Sequence, residues 1–179
     1  MTTGAQLRPV LALMAGLPGA GKTTLSSALG HVTGWHVLHK DEVKDAFLQQ
    51  GLADKEASWH AYEISFTYIY DILVTKQTSI IFDTSAINPF VLEHAQELTD
   101  AAHACLKVIH CHVREDIRFQ RLKGRSNRTG PLNLDMLSVE ERLLLFQHLP
   151  KNTLRLNTER PLDACLKVVL HYLHCPEDR

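Results

Sequence analysis

Residues 16–23 read GLPGAGKT, behind the apolar run VLALMA and ahead of TLSSALG. No other stretch restricts the fold as tightly. Gly16, Gly21, Lys22 and Thr23 meet the spacing G-x-x-x-x-G-K-[ST], and the motif requires the strand before it and the helix after it that these flanks suggest. The glycines let the backbone curl until successive N–H groups converge, and a helix beginning near Lys22 adds the positive end of its dipole. The turn is therefore built to hold an anion.

The rest of the chain alternates short apolar runs, rich in branched residues, with longer segments of helical period, which predicts βα units and a mostly parallel sheet. Strands are expected over residues 10–15, 35–38, 79–82, 106–112 and 153–156. Helices are expected over 22–30, ending at Gly30, and over 41–50, stopped by Gly51. A long amphipathic helix is expected over 56–76, where Ala61, Ile64, Tyr68, Ile72 and Leu73 recur at helical spacing. Asn88 and Pro89 read as N-cap and first-turn proline of a helix running to about residue 102. A charged helix over 114–123, another within 134–148 and a last one over 162–173 complete the set. The fold class is α/β: a five-stranded parallel sheet between helices, in one domain over residues 1–179 with no internal repeat.

With 179 residues, 45% of them hydrophobic, the chain can bury a proper core without staples. Its 19 basic and 20 acidic side chains create no global field that would draw it onto nucleic acid or an anionic membrane. The start of the chain has no charged stretch leading into a long apolar one, so a cytosolic protein is expected. Cys105, Cys111, Cys165 and Cys175 show no C-x-x-C spacing and read as idle thiols.

The glycine turn points to a nucleotide. Gly16, Leu17, Pro18, Gly19, Ala20, Gly21, Lys22, Thr23 and Thr24 are the expected contacts to ATP, with Lys22 reaching the β and γ phosphates and the Thr23 hydroxyl facing Mg²⁺. Asp83, after the strand-like SIIF, is the second metal-side candidate, although a strand-end Asp also serves as a turn acceptor. A hydrolase would place a water-orienting group beside it; Thr84 follows instead, which favours transfer to an acceptor. Asp41 stands at the end of the second expected strand, where the ligand crevice of an open parallel sheet lies. It can orient an attacking hydroxyl and take its proton, and it can equally cap the helix that starts there.

The order GLPGAGKT, KDEVK, FDTSAINP, RLKGRSNRTG resembles the P-loop kinases of AAA_33 type, a group that takes in polynucleotide 5′-hydroxyl kinases and zeta-toxin-like and chloramphenicol-phosphotransferase-like enzymes. The resemblance implies that Asp41, first residue of a D-x-x-R motif, is the general base. Lys44 replaces the family's Arg, and Lys meets phosphate only as a point charge. It further implies Asp83 and Thr84 on the acceptor side, and a lid over about residues 121–136 whose Arg121, Arg125 and Arg128 cover the nucleotide, Arg125 foremost. A solvated basic helix end is the plainer reading of these arginines.

Among the aromatics of the long helix, Trp59, Tyr62, Phe66, Tyr68 and Tyr70, most are expected in the core. Trp59 and Tyr62 could instead line an acceptor pocket. The histidines read as structural or surface groups, since none forms a metal-ligating pair. The sequence thus predicts an ATP- and Mg²⁺-dependent kinase acting on a small hydroxyl-bearing acceptor. A polynucleotide 5′ end and an ATP-binding scaffold without small-molecule kinase activity are its alternatives.

Overall fold

The structure is a computed structural model that describes residues 8–123 and 137–174. Five strands lie in the order β2-β3-β1-β4-β5: β1 (Val10–Ala15), β2 (His36–His39), β3 (Ile80–Asp83), β4 (Cys105–His112) and β5 (Leu154–Asn157). Every neighbouring pair is parallel. The helices are α1 (Lys22–Thr33), α2 (Lys40–Gln49), α3 (Asp54–Tyr70), α4 (Pro89–Ala101), α5 (Glu115–Lys123), α6 (Val139–Leu144) and α7 (Leu162–His174).

Strand β1 is apolar throughout because both of its faces are covered. With a side-chain period of two, Leu11, Leu13 and Ala15 join one core with Ile69 of α3, Val91 and Ala95 of α4, and Phe146. Ala12 and Met14 join the other with Leu25 and Leu29 of α1 and Val169 and Leu173 of α7. All five strands deliver their carboxyl ends to one edge of the sheet, where the glycine turn, His39, Asp83 and His112 lie.

Several boundaries differ from those the sequence suggests, each for a local reason. Helix α1 does not stop at Gly30 but runs to Thr33, where Gly34, at φ 72°, turns left-handed and donates its N–H to Gly30 O. Gly30 stays inside the helix because a Cβ there would stand 2.2 Å from Val37 Cγ2 on β2. Helix α2 starts one residue early, at Lys40 with His39 in the N-cap position, so Asp41 sits within the first turn and does not cap it. Helix α3 begins at Asp54 and ends in a single π turn over Asp71–Thr75 instead of running on as α-helix.

The buried stripe of α3 is Ala57, Ala61, Ser65 and Ile69, whereas Ile64 and Tyr68 face outward. Small residues let α3 lie close against its neighbours, and the larger side chains are left on the outer side. The aromatic set is correspondingly less buried than the core reading had it: Trp59 is 56%, Tyr70 51% and Tyr68 38% exposed. Strands β2, β3, β4 and β5 are offset by single residues from the expected spans. The Asn88 cap is present, its Oδ1 accepting from Phe90 N–H at 3.3 Å.

Candidate functional site

Between β1 and α1 the chain turns through Gly16 (φ 136°), Gly19 (φ 83°) and Gly21 (φ 86°), a conformation that L side chains rarely adopt. Space reinforces the requirement at Gly16, where a Cβ would lie 2.3 Å from Cys111 O. The turn is pinned by Gly16 N–H donating to Ser85 O at 3.0 Å. Lys22 bends back so that Nζ donates to Leu17 O at 3.1 Å across the loop. Thr23 and Thr24 follow in the first turn of α1. This open concave backbone, with an ammonium folded over it and a helix start beneath it, fits the polyphosphate of a nucleotide.

Asp83 ends β3 and is 6% exposed. Its Oδ2 accepts from His39 Nδ1 at 2.8 Å, and His39 Nε2 lies 3.5 Å from Ser27 Oγ on α1. Among the described residues no group of three or more His, Cys, Asp or Glu could hold a metal ion by itself. A donor set of one carboxylate and one hydroxyl suits a cation shared with phosphate oxygens and waters, as Mg²⁺ is.

On the α3 and α4 side of the turn, contacts run from α2 to the segment behind β3. Buried Lys40 pairs with Asp41 Oδ1 at 2.8 Å and lies 5.1 Å over the Tyr62 ring, and the Tyr62 hydroxyl is hydrogen-bonded to Thr84 Oγ1 at 3.2 Å. Phe90 packs edge-on against Tyr62 at 4.9 Å and meets Trp59 at 5.5 Å. Lys40 and Tyr62 thus link Asp41 to Thr84, and Phe90 links Tyr62 to Trp59. Lys44 is turned elsewhere: it is buried and held by Asp54 Oδ1 at 2.7 Å, tying α2 to the start of α3.

On the opposite side, a cavity of about 440 Å³ opens beside the start of α1, lined among others by Gly21, Thr24, Leu25, Arg121, Arg160 and Leu162. Its size falls in the range of small-molecule sites. Arg121 forms one of its walls, donating to Thr158 Oγ1 at 3.1 Å and to Thr158 O at 2.9 Å. Thr158 in turn donates to Ala20 O at 2.8 Å, so the loop after β5 braces the glycine turn. Arg118, 2% exposed, reaches Pro18 O at 3.3 Å with Nη1, while Nε and Nη2 bond Glu115 at 3.1 and 2.9 Å. Arg125 and Arg128, with most of the expected lid, lie outside the described residues, as does Cys175.

His110, opposite Ala15 in the β1–β4 register, is buried against Phe146 at 4.4 Å, and its Nδ1 has no hydrogen-bond partner among the described residues. Burial, and then the charges of Arg155, His112 and Lys22, pull its pKa down to about 4, so the ring is neutral at pH 7. Burial likewise pushes the Cys111 thiol up to about 12, which keeps it inert.

Lys40, Arg118 and Thr158 carry no role in the sequence pattern, and His39 reads there only as a structural or surface group. Arg118 carried a usable signal, since it stands one helical turn before Arg121. The others act through partners on neighbouring strands or helices, which no spacing along the chain reveals.

Among the described residues no helix is long and apolar enough to cross a membrane. No curated protein matches the chain in sequence. In structure, a Chloroflexus aurantiacus protein provisionally assigned as a kinase is 22% identical, with TM-score 0.70, and the match covers 94% of this chain and 98% of that one. A gluconokinase from Sinorhizobium meliloti is 16% identical at TM-score 0.62, covering 94% of this chain and 93% of that one. The Mycobacterium tuberculosis APS kinase, solved with AMPPNP and APS, is 17% identical at TM-score 0.61, covering 94% and 99%. At these identities the likeness is one of fold, a parallel sheet flanked by helices. The AAA_33 model, described as an AAA domain, matches residues 11–149, most of the sheet and the whole phosphate turn, and the chain belongs to that family.

Proposed function

We propose that the chain is an ATP-dependent phosphotransferase that moves the γ-phosphoryl group to the hydroxyl of a small acceptor. One observation carries the reading: the glycine turn has a cavity of about 440 Å³ on one side, at Arg121 and Thr24, and the linked side chains of Asp41, Lys40, Tyr62 and Thr84 on the other. A nucleotide whose base enters the cavity and an acceptor resting on those side chains would meet at the turn.

ATP bound there supplies the transferable phosphoryl group, and Mg²⁺ offsets the charge on its oxygens. The chain's own residues do the rest. The N–H groups of residues 16–23 and Lys22 hold the phosphates; Thr23 and Asp83 face the metal. Arg121 walls the base side. Asp41 orients the acceptor hydroxyl and receives its proton, and Lys40 Nζ, 2.8 Å from Asp41 Oδ1, holds the carboxylate in place. Tyr62 and Trp59 form the wall against which the acceptor rests. The gluconokinase and APS kinase neighbours support a small acceptor by their names, and the net charge of −1 offers nothing to a polynucleotide.

The test is transfer of label from γ-labelled ATP to a panel of sugars, nucleosides, hydroxyl-bearing antibiotics and 5′-hydroxyl oligonucleotides. Label on a small alcohol supports the reading. Label on the oligonucleotides alone, or on nothing, contradicts it.

A further inference from the structure

Asp83 spends one of its two oxygens on a partner that has no part in the phosphate turn. In the parallel register of β2 and β3, His39 stands opposite Asp83, so their side chains leave the sheet on the same side. His39 Nδ1 meets Asp83 Oδ2 at 2.8 Å, with the two side chains 18% and 6% exposed. A carboxylate only accepts, so the proton of this bond is on Nδ1. Nε2 then points toward Ser27 Oγ, 3.5 Å away on α1, one helical turn beyond Thr23. His39 also occupies the N-cap position of α2, yet its side chain makes no capping bond there. The ring is turned away from the helix it precedes and toward the strand and helix that carry the two expected metal-side groups.

We propose that His39 is a positioning residue: by holding Oδ2 it fixes the rotamer of Asp83, so that Oδ1 faces the metal of a bound metal–nucleotide complex. This rests on the nucleotide-binding part of the proposed function. A carboxylate this buried needs a hydrogen-bond donor in any case. A donor supplied from the neighbouring strand, and leaning on α1, also sets the direction of the remaining oxygen. Groups that orient metal-facing side chains in this way typically change metal affinity by about 10–100-fold when they are removed. His39→Leu should leave the glycine turn and Lys22 in place and loosen only the aim of Asp83.

The experiment measures ADP affinity of the full chain with EDTA and again with Mn²⁺, and takes the ratio as the gain due to metal. The number and environment of bound Mn²⁺ are followed in parallel by EPR, without turnover. Asp83→Asn sets the scale for loss of the carboxylate. His39→Leu should leave ADP binding in EDTA unchanged and reduce the metal-dependent gain by about tenfold. His39→Asn, which keeps an N–H donor near the Nδ1 position, should restore most of it. A residue that merely fills space would shift the melting temperature of His39→Leu and His39→Asn alike without moving the gain. Should His39→Leu fail to fold, His39→Phe keeps the ring's bulk, removes the donor and carries the same expectation. An unchanged or larger gain in the donor-less variant, or a loss that Asn does not repair, overturns the inference while the nucleotide reading stands. A wild-type chain that binds ADP in neither buffer overturns both.

Discussion

Asp41 and His110 show how a side chain's neighbours decide what it can do. Asp41 keeps an exposed carboxylate paired with the buried ammonium of Lys40 at 2.8 Å, and the proposed function makes it the group that receives the acceptor's proton. Asp41→Asn should therefore lower turnover by about 10²–10⁴ with nucleotide affinity unchanged, read from kcat and from ADP binding on the same preparation. His110 is held neutral at pH 7. Its folded-state pKa of about 4 lies below the ordinary 6.5, so between these values the unfolded chain binds more protons and stability rises with pH. Acidification from pH 7 to pH 5 should cost about 2 kcal/mol through this group. His110→Phe, which keeps the stacking on Phe146, should remove that part of the slope in urea denaturation at the two pH values. The phosphate turn was legible in the sequence because its chemistry is local: glycines, Lys22 and Thr23 act through their own backbone and spacing. His39, Lys40 and Thr158 were not, because each takes its role from a residue 22 or more positions away: Asp83, Tyr62 and Ala20.

At the scale of elements, the packing of α1 on β2 turns on one missing methyl group. Gly30→Ala gains helix propensity of about 1 kcal/mol, but it drives a Cβ to within 2.2 Å of Val37 Cγ2, an overpacking that costs about 1–3 kcal/mol. The net expectation is destabilisation, reversed when Val37→Ala is added, which a double-mutant cycle in denaturant measures. Helix α5 is anchored to the glycine turn through Arg118, whose buried guanidinium is bonded to both Glu115 and Pro18 O. Glu115→Ala removes two charge-assisted bonds from that group and should destabilise the fold by about 3 kcal/mol. The strands were legible because apolar runs flanked by turns can be little else in a βα alternation. Their ends moved by single residues because hydrogen-bond register with a neighbour, not composition, sets them. The helical spacing over 56–76 gave no sign of the π turn at Asp71–Thr75; of its stripe, Ala61, Ile72 and Leu73 are buried but Ile64 and Tyr68 are not, since small residues such as Ala57 and Ser65 do not register as apolar anchors.

Taken whole, the molecule is a parallel sheet whose carboxyl edge carries a glycine turn, with a cavity on one side of it and the linked side chains of Asp41, Lys40, Tyr62 and Thr84 on the other. Near-neutral overall charge gives an acceptor no long-range pull, so acceptor affinity should hardly change between low and moderate salt. A polynucleotide acceptor would instead lose affinity steeply over the same range. The most direct measurement follows labelled γ-phosphate from ATP in parallel reactions of the wild-type chain and Asp41→Asn, each shown to bind ADP. Label is expected on a small alcohol with the wild type, at a rate lower by about 10²–10⁴ with the variant. Equal rates for the two proteins, or ATP bound without label reaching any acceptor, would contradict it.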